Sequence, residues 1–264
     1  MVELNNSAVL SWGGEYLMST YTRLPVVFLK GSMQYLWDVE NKKYIDFIAG
    51  YGCLNVGHSN KFIVKAVKKQ VEKIIQPSNV YYNLPQVELA EKLCKLTGFG
   101  SKVFFANSGT ESIEGAIKLA RKYSTDKYGD KRYDVITFGR SFHGRTMGAL
   151  SATAQPKKQR IFEPLLKGFK YAEFNNTGSV RELIDENTCA IMLEPVQGEG
   201  GVYPADQEFM QDLKDICVKK DILLIFDEVQ TGIAMTGEMW CHQHFGVRPD
   251  LMAFGKKTQV CGLL

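Results

Sequence analysis

The stretch "ILLIFDEVQTG", Ile222 to Gly232, decides the fold. Ile222 to Phe226 are all apolar, and two carboxylates, Asp227 and Glu228, follow without a break. A strand with one face in water alternates apolar and polar residues, whereas an unbroken run fits a strand covered on both faces, as in a parallel sheet between helices. Ligands of such sheets gather beyond the carboxyl ends of the strands, where Asp227 falls. Two other readings are open for the acids: a cap on the next helix, or a solvated loop after a core strand.

Working outward, the pattern repeats. Strands are expected at Val103 to Phe105, Val135 to Phe138, Ala190 to Leu193 and Leu251 to Phe254, and helices at Glu111 to Tyr123, 144–153 and 207–219. Such alternation predicts an α/β fold, a mostly parallel sheet flanked by helices. Before it, "YLWDVENKKYIDF" reads as two short strands, Tyr35 to Val39 and Lys43 to Phe47, turning at Glu40, Asn41 and Lys42. From His58 onward the pattern turns helical: Ile63, Ala66, Val67, Val71 and Ile74 share a face, and Leu84 to Leu96 forms a second helix.

With 264 residues, 45% of them hydrophobic, the chain can bury a sizeable core. Its 32 basic and 29 acidic residues are interspersed, so no basic stripe points to nucleic acid. The pairs Lys68-Lys69 and Lys157-Lys158 read as solvated surface. No apolar run approaches the about 20 residues of a membrane helix, and the amino terminus lacks the basic and apolar regions of a secretory signal, so a cytoplasmic location is expected. Six scattered cysteines without a Cys-x-x-Cys pair argue against a disulfide framework or a zinc site. "CHQH", Cys241 to His244, has no second cluster to complete a coordination set, so no metal is expected.

Chemistry gathers in four further stretches. "FFANSGTESIEGAIKLARK" leads from a strand through Ser108, Gly109 and Thr110 into a helix, whose free N–H groups suit a phosphate as well as they suit an ordinary cap. In "FGRSFHGRTMGAL", Phe142 and His143 can lie over a flat ring and Arg145 can grip a carboxylate, or the stretch is a helix start with one exposed arginine. "LEPVQGEGG" places Glu194 after another buried strand and sets Glu199 among glycines. "MAFGKKTQ" puts Lys256 and Lys257 past a strand end, where a desolvated lysine can condense with an aldehyde. A phosphate, a ring, a ring nitrogen for an acid and an aldehyde for a lysine together describe pyridoxal 5'-phosphate, with Asp227 keeping the ring nitrogen protonated.

Through "NSGTES", "FHGRT", "EPVQGEGGV", "FDEVQTG" and the Gly-Lys after "PDLMAFG", the chain resembles the class III, fold-type I, pyridoxal-phosphate aminotransferases of the acetylornithine and ornithine aminotransferase group. The resemblance runs from about "STYTRLPVVF" to the last residues. It implies that Ser108, Gly109 and Thr110 bind phosphate, Phe142 stacks on the ring with His143 beside it, and Gln230 contacts the ring hydroxyl. It also implies that Asp227 and Lys256 are catalytic. Lys256 is the lysine joined to the cofactor, and Lys257 is its neighbour. On the substrate side it implies Tyr21, Arg145 for the α-carboxylate, and Glu199 as partner of a switchable arginine. The expected activity is transfer of the distal amino group of an ω-amino acid to 2-oxoglutarate by a homodimer. An aminomutase of the same fold and a non-catalytic fragment are the alternatives.

The resemblance also divides the chain, with residues 1–57 belonging to a small domain and 58–264 forming a cofactor-binding large domain. Ala234 and Met235 stand where relatives commonly carry Gly-Arg, and "FGKKTQVCG" is closer to lysine 6-aminotransferases and 4-aminobutyrate aminotransferases. The donor is therefore open among acetylornithine, ornithine, lysine and 4-aminobutyrate. Because family members continue beyond the lysine into a carboxyl-terminal small domain, the chain reads as a fragment or truncated product with negligible activity alone.

Overall fold

The computed structural model describes residues 5–99 and 102–264. The chain divides into two compact units, Met1–Asn83 and Leu84–Leu264.

In the first unit, helix α1 (Asn6–Tyr16) precedes an antiparallel sheet of β1 (Phe28–Ser32), β2 (Tyr35–Asp38) and β3 (Lys43–Ile45). The expected hairpin forms, and β1 adds a strand that sequence patterning did not indicate. Asp38 closes the turn: its Oδ1 accepts the N–H groups of Glu40 at 3.0 Å and Lys42 at 2.8 Å, and its Oδ2 accepts the Tyr44 hydroxyl at 2.9 Å. After a short turn, α2 (Ala49–Gly52), comes α3 (Lys61–Val71), whose first turn is capped by Asn60. Ile74, expected on the same helical face, lies beyond its end, and Phe62, Ile63 and Val67 are exposed.

The second unit opens with α4 (Leu84–Thr97), then β4 (Phe104–Ala106) and α5 (Gly109–Tyr128). There follow β5 (Asp134–Phe138), α6 (Met147–Ala152), α7 (Pro156–Gln159), β6 (Phe169–Ala172), α8 (Thr177–Leu183) and β7 (Thr188–Leu193). A two-stranded ribbon, β8 (Val196–Gln197) with β9 (Tyr203–Pro204), precedes α9 (Gln207–Lys220), β10 (Leu223–Asp227), β11 (Leu251–Phe254) and β12 (Cys261–Leu263). Seven strands form one sheet in the order β4-β12-β11-β10-β7-β5-β6. β12 runs antiparallel to both β4 and β11, and the other six strands point the same way. β6, α8, the ribbon and β12 carry no pattern that the sequence reading recognised.

Alternate residues of the central strands feed two cores. Ile136, Phe138, Ile191, Leu193, Leu224, Phe226, Met252 and Phe254 pack with Phe209, Met210, Leu213 and Cys217 of α9. Val135, Ala190, Met192, Ile225 and Ala253 face the other way, against Ile113, Ala116, Ile117 and Ala120 of α5 and Ala149 and Ala152 of α6. Helices on both faces are why the strand sequences lack polar alternation.

Glu228, 1% exposed, turns away from the sheet edge and ties down a distant loop. Its Oε2 accepts the Cys241 N–H at 2.7 Å and the Thr231 hydroxyl at 3.2 Å, and its Oε1 accepts the His242 N–H at 2.8 Å. It thus caps the 3-10 helix Cys241–Phe245, one of the two readings open for this acid, while burial pushes its carboxyl up to about 7. Glu228→Ala would orphan two buried N–H groups, each costing about 1–3 kcal/mol. A loss of at least about 2 kcal/mol in urea unfolding is expected on that basis; an unchanged midpoint would rule out this role.

Candidate active site

Because six strands run in one direction, the loops after β4, β5, β7, β10 and β11 meet at one edge of the sheet. Each carries a stretch singled out above. The contacts among them are close. A Cβ on Gly109 would come within 2.8 Å of Val229 Cγ1, and the same methyl lies 3.3 Å from a Cβ built on Gly255. Val229 is therefore wedged between the start of α5 and the turn before Lys256. Gly144, at φ +139°, passes so near Thr110 that a Cβ would sit 2.2 Å from its Oγ1. That approach locks the "FHG" turn onto the first turn of α5, and Thr110 Oγ1 also lies 3.0 Å from Thr146 Oγ1.

Ser108 is the N-cap of α5, its Oγ accepting the Glu111 N–H at 3.3 Å. The capping reading holds for this hydroxyl. Capping leaves other first-turn N–H groups without helical partners, and at the positive end of a 20-residue helix these suit an anion. Glu111 in turn accepts the Asn107 N–H at 2.7 Å, which fixes the strand-to-helix turn.

Asp227 ends β10, 5% exposed. Its Oδ1 accepts the Val229 N–H at 3.1 Å, and its Oδ2 lies 2.8 Å from Nδ1 of His143. His143 is thus placed behind Asp227. The Thr153 hydroxyl accepts the His143 N–H at 2.9 Å, and His143 Nε2 has no hydrogen-bond partner among the described residues. Burial opposes a charge on this imidazole, but the hydrogen bond to Asp227 and the fields of Asp227 and Glu194 outweigh it and shift the ring toward protonation. Glu194, 4% exposed at the end of β7, accepts the Phe142 N–H at 2.9 Å. Burial pushes its carboxyl up to about 7, with Asp227 adding to the rise and His143 opposing it.

Past the end of β11, Lys256 occupies the left-handed region at φ +52°, a conformation that costs a non-glycine residue about 1 kcal/mol or more. Its Nζ donates to the Gln230 side-chain oxygen, while the buried Lys257 donates to the Gln230 backbone carbonyl. The two lysines are thereby distinguished: Lys256 is half-buried beside a side chain, and Lys257 supports the loop.

The remaining candidates are placed differently. Phe142 is half-buried, with Lys158 Nζ 4.5 Å from its ring centroid. Lys158 also pairs with Glu199 at 3.2 Å, so in this chain Glu199 is engaged by a lysine. Arg145 is exposed on the same loop as Phe142. Tyr21 is exposed and belongs to the first unit. Sequence reasoning missed Val229 and Lys158, and it gave Glu194 no role. Gly109 and Gly255, distant in sequence from Val229 and beside it in space, are the residues that make room for the wedge. The two histidines of "CHQH" serve the fold, His242 Nδ1 lying 3.1 Å from the Val247 carbonyl and His244 Nε2 lying 3.0 Å from that of Thr236. Among the described residues no group of three His, Cys, Asp or Glu is placed to hold a metal, and no helix is long and apolar enough to cross a membrane.

The geometry has close counterparts. The acetylornithine aminotransferase of Aquifex aeolicus is 53% identical over 241 residues, which are 91% of this chain and 64% of that protein. The acetylornithine aminotransferase of Caldanaerobacter subterraneus subsp. tengcongensis is 49% identical over 94% of this chain and 63% of its own length. An ornithine aminotransferase structure from Toxoplasma gondii superposes with a TM-score of 0.94 at 28% identity, covering all of this chain and 64% of the other. The chain thus spans somewhat less than two thirds of these relatives, and its sheet and flanking helices have the architecture of fold-type I enzymes. Residues 16–263 match the model of the aminotransferase class-III family, and the chain belongs to that family.

Proposed function

We propose that this chain carries the cofactor-binding part of a pyridoxal-phosphate-dependent ω-aminotransferase. The observation that carries the reading is the meeting of Lys256, Gln230, Asp227 and the first turn of α5 at one sheet edge. The residues fit the cofactor: a helix start for a phosphate, a half-buried phenyl ring, a buried acid and a lysine at a strand end. Bound there, pyridoxal 5'-phosphate supplies an electron-withdrawing ring and an aldehyde that accepts an amino group.

Ser108, Gly109 and Thr110 hold the phosphate, and Phe142 covers one face of the ring. Asp227 holds a proton on the ring nitrogen, with His143 behind it. Gln230 lies against Lys256 and serves the ring hydroxyl. Lys256 would hold the aldehyde, and its Nζ would move the proton at the substrate carbon as a general base. Arg145 takes the substrate α-carboxylate, and Glu199 changes partner as donor and acceptor alternate. Its pairing with Lys158 supplies one of those states.

The amino donor in this proposal is acetylornithine, a reading supported by the names of relatives at 53% and 49% identity, and the acceptor is 2-oxoglutarate. A cytoplasmic homodimer is part of the same proposal, as is assignment of the first segment to a small domain.

Two measurements test the reading. Borohydride reduction with pyridoxal phosphate, followed by peptide mapping, should label Lys256 and leave Lys257 unlabelled, and Lys256→Ala should abolish the label; a label on Lys257 would sink the assignment. Amino transfer to 2-oxoglutarate by the complete polypeptide should be fastest from acetylornithine when compared with ornithine, lysine and 4-aminobutyrate. Preference for lysine would instead favour the kinship of "FGKKTQVCG".

A further inference from the structure

Three buried titratable side chains meet behind the expected ring nitrogen: Asp227 at the end of β10, Glu194 at the end of β7, and His143 in the turn after β5. Asp227 and His143 touch, with Oδ2 and Nδ1 2.8 Å apart. Glu194 reaches the same turn through the Phe142 N–H at 2.9 Å, one residue before His143. Nothing above gives Glu194 a role.

An acid buried beside another acid is costly unless a cation or several hydrogen bonds answer it. Backbone N–H groups answer part of this, those of Phe142 and Gly198 for Glu194 and that of Val229 for Asp227, and the imidazole of His143 acts on both carboxylates. Its Nε2 makes no hydrogen bond to the described residues, so the surrounding field, and not a partner atom, decides whether that nitrogen carries a proton. The groups acting on His143 are Asp227 and Glu194, both of which favour the imidazolium. Asp227 also has a second task at the ring nitrogen, and a single carboxylate shared between two cations leaves excess positive charge in a dry site. A second carboxylate restores the balance once it ionises, which burial delays to about pH 7: Glu194 then joins Asp227 against two cations, His143 and the protonated ring.

We propose that Glu194 is a positioning residue that fixes the backbone of Phe142 and holds His143 as a cation behind Asp227. The assignment rests on the cofactor reading above for its purpose, though its electrostatics belong to the chain alone. Glu194 acts through neighbours and touches neither ring nor substrate.

Histidine-selective 15N NMR of the cofactor-free chain, with the His143 signal assigned by its loss in His143→Gln, reads the proposal directly. In the wild type His143 should keep the imidazolium signature above the ordinary histidine midpoint of about 6.5. Glu194→Gln can still accept the Phe142 N–H but carries no charge. It should melt within a few degrees of the wild type and lower the His143 midpoint by about one pH unit or more, which corresponds to a tenfold change in proton affinity. Glu194→Asp should restore part of that shift, as a purely structural role would not. An unchanged midpoint in Glu194→Gln overturns the proposal. So does a wild-type His143 already neutral at about pH 6.5, which needs no variant. Pyridoxal-phosphate titration of the same samples separates the two readings: failure of the wild type to bind it, together with the expected histidine shift, would sink the functional reading and leave the Glu194–His143 coupling supported.

Discussion

Covering β10 on both faces is the constraint on which the rest of this structure depends. A strand whose alternate residues enter two different cores is covered on both faces, and connections that cross those faces leave its neighbours β7 and β11 parallel to it. Alignment brings five loops to one edge, and that edge is where Asp227, Glu194 and Lys256 stand. The chemistry is a consequence of direction: reversing one crossover would carry its loop to the opposite end of the sheet.

The same burial makes acids at the edge expensive, and three of them are answered in three ways. Glu228 is answered by backbone, its oxygens accepting the N–H groups of Cys241 and His242. Asp227 is answered by a side chain, His143, and by the Val229 N–H. Glu194 receives the Phe142 N–H and feels both neighbours, and burial leaves its carboxyl close to neutral pH. One fold thus yields a structural cap, an acid held by an imidazole, and a second acid tied to the same turn. Adjacent positions such as Asp227 and Glu228 part company because successive side chains of an extended segment point in opposite directions.

Rigidity of the edge comes from close approaches more than from long contacts. Val229 fills the space that side chains at Gly109 and Gly255 would need, and Thr110 occupies the space beside Gly144. Each loop is thereby referenced to α5, a 20-residue helix whose own face is buried by Ile113, Ala116, Ile117 and Ala120. A small displacement of one loop must therefore move another, which suits a site where several groups act on one ring.

The sequence by itself determined the core strands, the helices α5 and α9 and the motif-bearing turns, because unbroken apolar runs and helical periodicity report burial that is local to each element. It also marked Ser108 and Asp227 through small residues and acids at strand ends, while Gln230 and the choice of Lys256 over Lys257 came from the resemblance of their motifs to a known family. It left β1, β6, β12 and the ribbon unread: these segments are short, and their strand character comes from partners far away in the chain, as with Cys261 opposite Ala106. Which way a side chain turns was equally out of reach. That His143 lies behind Asp227, that Glu228 caps a loop 13 residues on, and that Lys257 serves Gln230 while Lys256 faces it were decided only when the tertiary structure brought separate loops together. Hydrogen bonds between such loops depend on distances that no local pattern encodes.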